Sequence, residues 1–480
     1  MSAVEAYWED LGLPALCKYI EQPALSTSYD PDWRSNGHLA AAAESLRDWC
    51  RDNLGAGEVV PDERPDGGPP CVLVEIPAAG GGGSGSTPPT VVIYGHYDKQ
   101  PDSPGWLEGR AHDRPMRETD PATGDHLYGR GAADDGYALF AAAGAVLALR
   151  RLGRGHARVV IVLEGAEESG SPFFEPQLAA LAGRVGEPEL IVTLDSSCID
   201  FERLWVSTSA RGAVTGTLKV RVLEGGIHSG QAGGVVPSSF RVLRQLLSRI
   251  EREDSGDLPD FEVEIPLNRR EQMRALVEER GEAVLRRAPV VEGLALEGLG
   301  TLARLERQTW RAALEVVGLG GAPPPEAAGN VLRPTTEARI SIRLPPTFTA
   351  ARAFEILEDA WVRRAPPYGA EVTFERGIGA DGWHAPEPPA WLRHALRTAS
   401  TEHFGNPEGY AGEGGSNPFL LALGSTFPRA NQLALGLFGP GTNHHGPNER
   451  LDVTAAKRLT ACLAEILAAR AAGAGGTGST

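Results

Sequence analysis

Short apolar runs recur along the chain, and several of them end in a residue that carries charge or an imidazole. Val91, Val92, Ile93 and Tyr94 lead through Gly95 into His96 and, two residues on, Asp98. An unbroken run of this kind predicts a strand buried on both faces, as in a parallel sheet covered by helices. Residues 158–163 repeat the pattern and open into Glu164, Glu167 and Glu168, and residues 190–194 repeat it and open into Asp195. A further run at 433–438 passes through Gly439, Pro440 and Gly441 to His444 and His445. Residues 71–76 read as another strand, joined to the first by a Gly/Ser-rich hairpin connection at 78–89. Helices are expected within residues 1–55, over 137–149 as a buried segment, and at about 455–469. Residues 101–124, rich in Pro, Gly and charge, read as a long loop beside the end of the first strand.

Between 210 and 379 the pattern changes. Val214, Leu218, Val220 and Val222 alternate with polar residues, as do Ala338, Ile340, Ile342 and Leu344, and more briefly Val372 and Phe374. Alternation marks a sheet with one solvated face. Phe240, Leu243, Leu246, Leu247 and Ile250 mark a helical stripe beside it. The expected fold class is therefore α/β: a mostly parallel sheet with helices on both faces, built from residues 1–209 and 380–480, with an α+β domain inserted over 210–379. The length of 480 residues, more than one core usually organises, fits this division.

Composition narrows the partners. A formal net charge of -17 argues against nucleic acid or an anionic membrane. The five cysteines, Cys17, Cys50, Cys71, Cys198 and Cys462, are odd in number and contain no Cys-x-x-Cys pair, which fits free thiols in a reducing compartment. The N-terminus lacks a basic region followed by an apolar core, and no apolar run reads as long enough to span a bilayer. A soluble, cytoplasmic chain is expected, with a disordered tail at 471–480.

The polar residues at strand ends and in adjoining loops are His96, Asp98, Asp134, Asp135, Glu167, Glu168, Asp195 and His445. Carboxylates gathered in a water-poor cleft repel one another unless cations neutralise them. Imidazole and carboxylate donors without thiolate suit Zn²⁺, with Mn²⁺ or Co²⁺ as alternatives. Two ions about 3.5 to 4 Å apart, sharing one carboxylate and a water, would use five of these residues. A dinucleotide fingerprint at Gly129, Gly131 and Gly136 is excluded, because Asp134 stands where the third glycine belongs. No Gly-x-Ser-x-Gly elbow occurs, and Cys198 has no special context.

The segments GHYDKQP, GRGAADDG, EGAEESGSP, LDSS, GGIHSGQAGG, SIRLPP, EGGSNP and HHGPNE follow one another along the chain. In order and spacing they resemble the co-catalytic zinc metallopeptidases of the carnosinase and Cys-Gly dipeptidase family, with succinyl-diaminopimelate desuccinylase and glutamate carboxypeptidase as wider relatives. The resemblance implies that His96, Asp134 and Asp195 bind one metal, that Asp134, Glu168 and His445 bind the other, and that Asp134 bridges. It implies that Asp98 orients His96 and that Glu167 is the general base. Asp135 and His444, each adjoining a matched residue, are the alternatives. The inserted domain resembles a lid and dimerisation domain, in which His228 would reach a partner subunit's site and stabilise an oxyanion. Arg343 would hold a substrate carboxylate, and Asn330, Gly415 and Ser416 would line the pocket.

Two departures bear on specificity. Gly136 and Tyr137 follow the Asp-Asp pair where relatives usually have Lys-Gly, and Gly412 and Glu413 replace an arginine often found before Gly-Gly-Ser. An acidic Glu413 would favour a basic or amino-bearing substrate. The expected activity is hydrolysis of dipeptides or short peptides by a homodimer. The rival readings are deacylation of N-acyl amino acids on the same metals and a non-catalytic metal- or ligand-binding member of the fold.

Overall fold

The computed structural model describes residues 1–80, 88–120, 124–285 and 290–473. The apolar runs form strands because their branched side chains leave no polar face for solvent. Thr90–His96 and Leu190–Thr193 are buried throughout, and Arg158–Glu164 is buried from Val159 onward. In the large sheet the strands follow the order Glu58–Val60, Cys71–Ile76, Arg158–Glu164, Thr90–His96, Leu190–Thr193, Asn431–Ala434, Trp205–Ala210. Thr90–His96 is parallel to both of its neighbours, and Asn431–Ala434 is parallel to Leu190–Thr193. Register aligns His96 with Glu164 and Tyr94 with Thr193, so these parallel strands finish at one edge. Cys71–Ile76 and Trp205–Ala210 pair antiparallel on either side.

Helix Tyr137–Arg151 runs through the core. Its small residues let neighbours approach: a Cβ on Gly144 would stand 2.3 Å from the Tyr7 ring. Together with the turn before it, Ala132–Arg151 is long and apolar enough to cross a membrane by length and composition, contrary to expectation, but its most apolar 18 residues are 94% buried inside the protein. It is a core helix. The N-terminal region supplies Ser2–Tyr7, Leu13–Ile20 and His38–Leu54, and Val453–Gly473 closes the same core.

Three expectations change. The run at 433–438 is a strand only over Asn431–Ala434, because beyond it the chain closes onto Ser196: a Cβ on Gly436 would lie 1.8 Å from the Ser196 carbonyl oxygen. The loop at 101–124 contains a strand, Met116–Asp120, paired with Gly124–Tyr128. It lacks an apolar pattern and is tied instead by Arg117, which forms ion pairs of 2.6 Å with both Asp125 and Glu9. The Gly/Ser-rich connection does not close a hairpin, because Arg158–Glu164 lies between the two strands it joins; its residues 81–87 and the tail at 474–480 lie outside the described residues.

The chain divides into two compact units. One comprises Met1–Thr208, Ala385–Ala411 and Pro418–Thr480; the other comprises Ser209–His384 and Gly412–Asn417. In the second, an antiparallel sheet runs in the order Ala313–Gly320, Thr335–Leu344, Gly212–Arg221, Glu371–Ala380. Its alternating residues Val214, Leu218, Ile340 and Ile342 are buried against helices Ser239–Leu247 and Ala350–Glu358. The helical stripe is shifted from expectation: Phe240 is exposed and Val242 joins Leu243 and Leu246 in the core. Gly412–Asn417, which no hydrophobic pattern marks, carries Gly415 and Ser416 into this unit.

Candidate metal centre

The first unit gathers the expected donors at the end of its parallel strands. His96, the last residue of its strand, is 2% exposed. Its Nε2 lies 3.1 Å from Asp134 Oδ1 and 4.0 Å from Asp195 Oδ2. Asp134 Oδ2 is 2.9 Å from His445 Nε2, which in turn lies 3.2 Å from Glu168 Oε2. Asp134 therefore faces two imidazoles at once. Donor atoms of His96, Asp134 and Asp195 fall within 4.8 Å of one another, and so do those of Asp134, Glu168 and His445.

Local backbone sets these directions. Asp134 belongs to the turn Ala132–Gly136, and the Asp134–Asp135 peptide is cis. Asp135 is turned elsewhere, with Oδ2 accepting the His96 backbone N–H at 3.3 Å. His445 holds φ at 63°, an uncommon left-handed conformation for a residue with a Cβ. His444 stacks on Phe438, ring centroids 4.5 Å apart. Asp98 does more than face His96: its two carboxylate oxygens accept the backbone N–H groups of Glu167 and Glu168, each at 3.0 Å. The Asp98 carbonyl oxygen lies 3.1 Å from His96 Nδ1, and its Oδ1 lies 3.4 Å away. One aspartate thus fixes the ring and the turn that carries both glutamates.

Electrostatics show what the cluster lacks. Burial pushes the Asp195 carboxyl well above the usual range, with Glu167 and Asp134 adding to the rise. Glu167 is raised the same way, by burial and then by Glu168, Glu164 and Asp98, against His96. Burial opposes a charge on His445, yet its hydrogen bonds to Asp134 and Glu168 prevail and lift it to about 11. His96 is raised too, burial being outweighed by Asp134 and Asp98. The surrounding carboxylates favour positive charge at this position. Glu168 Oε1 is buried without a hydrogen-bond partner. Divalent cations fit this donor set, since they would supply the charge and use the unpaired oxygen.

The remaining expected residues belong to the second unit. His228 is exposed and caps the short helix Ser229–Ala232, its Nδ1 accepting the Gly230 N–H at 3.1 Å. Ser229 donates its N–H to the Asn330 carbonyl at 2.8 Å, which brings His228 and Asn330 together. Arg343 lies on the polar side of its strand, and burial lowers its pKa. Gly415 and Ser416 are part-buried beside Gly414, whose carbonyl accepts from Arg211 Nε at 3.0 Å.

Among the buried charged residues that were assigned no role are Glu164, Arg130 and Glu449. Glu164 accepts hydrogen bonds from Tyr94 at 2.8 Å and Ser171 at 3.0 Å. Arg130 and Glu449 form an ion pair of 2.8 Å. Glu164 closes an apolar run, the signal that marked its neighbours; Arg130 and Glu449 carry none.

Three comparisons bear on this arrangement. The profile of Peptidase family M20/M25/M40 matches residues 92–469. A cysteinylglycine-S-conjugate dipeptidase of Corynebacterium striatum is 26% identical over 390 residues, 79% of this chain and 80% of the relative. A Beta-Ala-His dipeptidase of Mus musculus is 26% identical over 449 residues, covering 86% and 83%. The crystal structure of human carnosine dipeptidase 1 superposes with a TM-score of 0.71 at 23% identity, covering 98% of each chain. That last likeness is one of fold.

Proposed function

The chain belongs to peptidase family M20/M25/M40, and from that premise we propose that it is a dinuclear metal-dependent dipeptidase acting on dipeptides or short peptides. One observation carries the reading: Asp134 belongs to both donor groups, 3.1 Å from His96 Nε2 and 2.9 Å from His445 Nε2. His96, Asp134 and Asp195 would hold one cation, and Asp134, Glu168 and His445 the other. Zinc suits these donors best, with manganese or cobalt as alternatives. When bound, such ions polarise a carbonyl and acidify water.

The protein's own part is orientation and proton transfer. Asp98 fixes His96 and anchors the Glu167 amide, so the Glu167 carboxylate is aimed from a held turn. Glu167 takes a proton from the attacking water at its carboxylate and returns it to the leaving amine. In the second unit, Arg343 holds the substrate carboxylate, and Asn330, Gly415 and Ser416 line the pocket. His228 Nδ1 accepts from Gly230, which leaves the proton on Nε2 as a donor for an oxyanion. In this reading the chain is a homodimer and His228 serves the partner's site. A cytoplasmic location belongs to the same proposal and is supported by five free cysteines.

The test is a panel of dipeptides and N-acyl amino acids assayed with zinc-loaded protein. Turnover confined to dipeptides is expected; turnover confined to N-acyl amino acids would replace the substrate class. Sedimentation tests the assembly, and a fully active monomer would remove the role of His228 across subunits.

A further inference from the structure

The charged pair behind the Asp134 turn has no place in the chemistry above. Glu449 is wholly buried and ends the segment HHGPNE. Its Oε1 accepts the backbone N–H groups of Gly131, Ala133 and Asp134, each at 3.1 Å. Its Oε2 accepts from Arg130 Nη1 at 2.8 Å. Backbone amides of one turn converging on an anion resemble the nests that elsewhere cradle phosphate, although the Ala132 N–H between them goes to the Gly129 carbonyl. Here the chain's own carboxylate is the anion. Gly131 makes the turn possible with φ at 80°, a conformation that a residue with a Cβ rarely adopts.

Arg130 extends the arrangement. It is 3% exposed, and its Nη2 donates to the Gly446 carbonyl at 3.1 Å and to Ser103 Oγ at 3.0 Å. Gly446 directly follows His445. One buried pair therefore ties the backbone of Asp134 to the loop that presents His445, the two groups that must meet at 2.9 Å. Neither Glu449 nor Arg130 belongs to a donor group.

We propose that Glu449 and Arg130 are positioning residues that set Asp134 and His445 in register, so that the cation held by Asp134, Glu168 and His445 depends on this pair. The inference rests on reading that cluster as a metal centre. Outer partners of metal-binding residues typically change affinity or activity about 10–100-fold when replaced.

The experiment compares wild type, Glu449→Gln, Arg130→Lys and His445→Ala. Zn²⁺ affinity is measured by competition with a chromophoric chelator, and the visible spectrum of the Co²⁺-loaded protein reports donor geometry. Glu449→Gln is expected to weaken one of two Zn²⁺ equivalents about 10–100-fold, alter the Co²⁺ spectrum, and lower kcat with KM nearly unchanged. Arg130→Lys, which keeps the charge but not the fork, should fall between it and wild type. If Glu449→Gln lowers Tm yet leaves affinity and spectrum as in wild type, the pair serves the fold alone and the proposal is overturned. Should Glu449→Gln not fold, Arg130→Lys decides by the same two readouts. If His445→Ala takes up Zn²⁺ like wild type, the metal centre itself is misread and the proposal falls with it. Loss of metal in His445→Ala but not in the other variants overturns the positioning role only.

Discussion

At the scale of single residues, the two adjacent aspartates show what position adds to chemistry. Asp134 and Asp135 look alike in sequence, yet the structure turns one toward two imidazoles and the other to a backbone amide. Glu167, held beside them by Asp98, is the group on which proton transfer should depend. Replacing it with alanine is expected to lower kcat about 10²–10⁴-fold while metal content, measured by elemental analysis, stays at the wild-type level. A binding protein would lose nothing by that change. Glu164 offers a second test. Burial lifts it from an ordinary 4.5 to about 8, with Asp98 adding to the rise, so the folded chain keeps a proton that the unfolded chain has released. Its stabilising contribution is present below about 4.5 and is lost as pH rises through about 8. Metal-stripped wild type should lose stability over that window in chemical denaturation, and Glu164→Gln should flatten the decline. The strand-end residues were legible because each closes an apolar run. Arg130 and Glu449 were not, since a buried charge satisfied by backbone amides leaves no periodic trace.

At the scale of elements, hydrophobic pattern identified the parallel strands and the alternating sheet, because burial on two faces or one leaves different spacing. It missed Met116–Asp120, which is held by charge, and it overextended the last parallel run. That second error has a mechanical cause. Gly436 lies against the Ser196 backbone with no room for a side chain, so the regular ladder breaks there and pairing resumes only as a bridge between Ser197 and Phe438. Gly436→Ala should destabilise the protein by about 3 kcal/mol or more, read as a fall in the denaturation midpoint. Because Ser196 follows Asp195, metal affinity should fall with it. An unchanged midpoint would mean that the segments part without cost. The helical stripe was misassigned by a smaller margin: Phe240 is apolar, but its direction on Ser239–Leu247 points it outward and Val242 inward.

At the scale of the whole molecule, two units in one chain were legible from the change of period near residue 210. Gly412–Asn417 was not, because its place is set by tertiary packing and not by any pattern within it. The assembled first unit concentrates carboxylates that repel one another, so removing metal should cost stability globally. Chelation is expected to lower Tm, and added Zn²⁺ to restore it, with about 4 kcal/mol recovered at a thousandfold excess over Kd for one site. A Tm indifferent to chelator would argue that the carboxylates are neutralised in some other way. The two donor groups differ in one respect: His96 and Asp195 have side chains that are 0% and 8% exposed, whereas the His445 side chain is 52% exposed. A competitor arriving from solvent meets the His445 side first. Ions should consequently depart in two kinetic phases, through a half-loaded intermediate, and a cell short of the ion would dim this protein in steps.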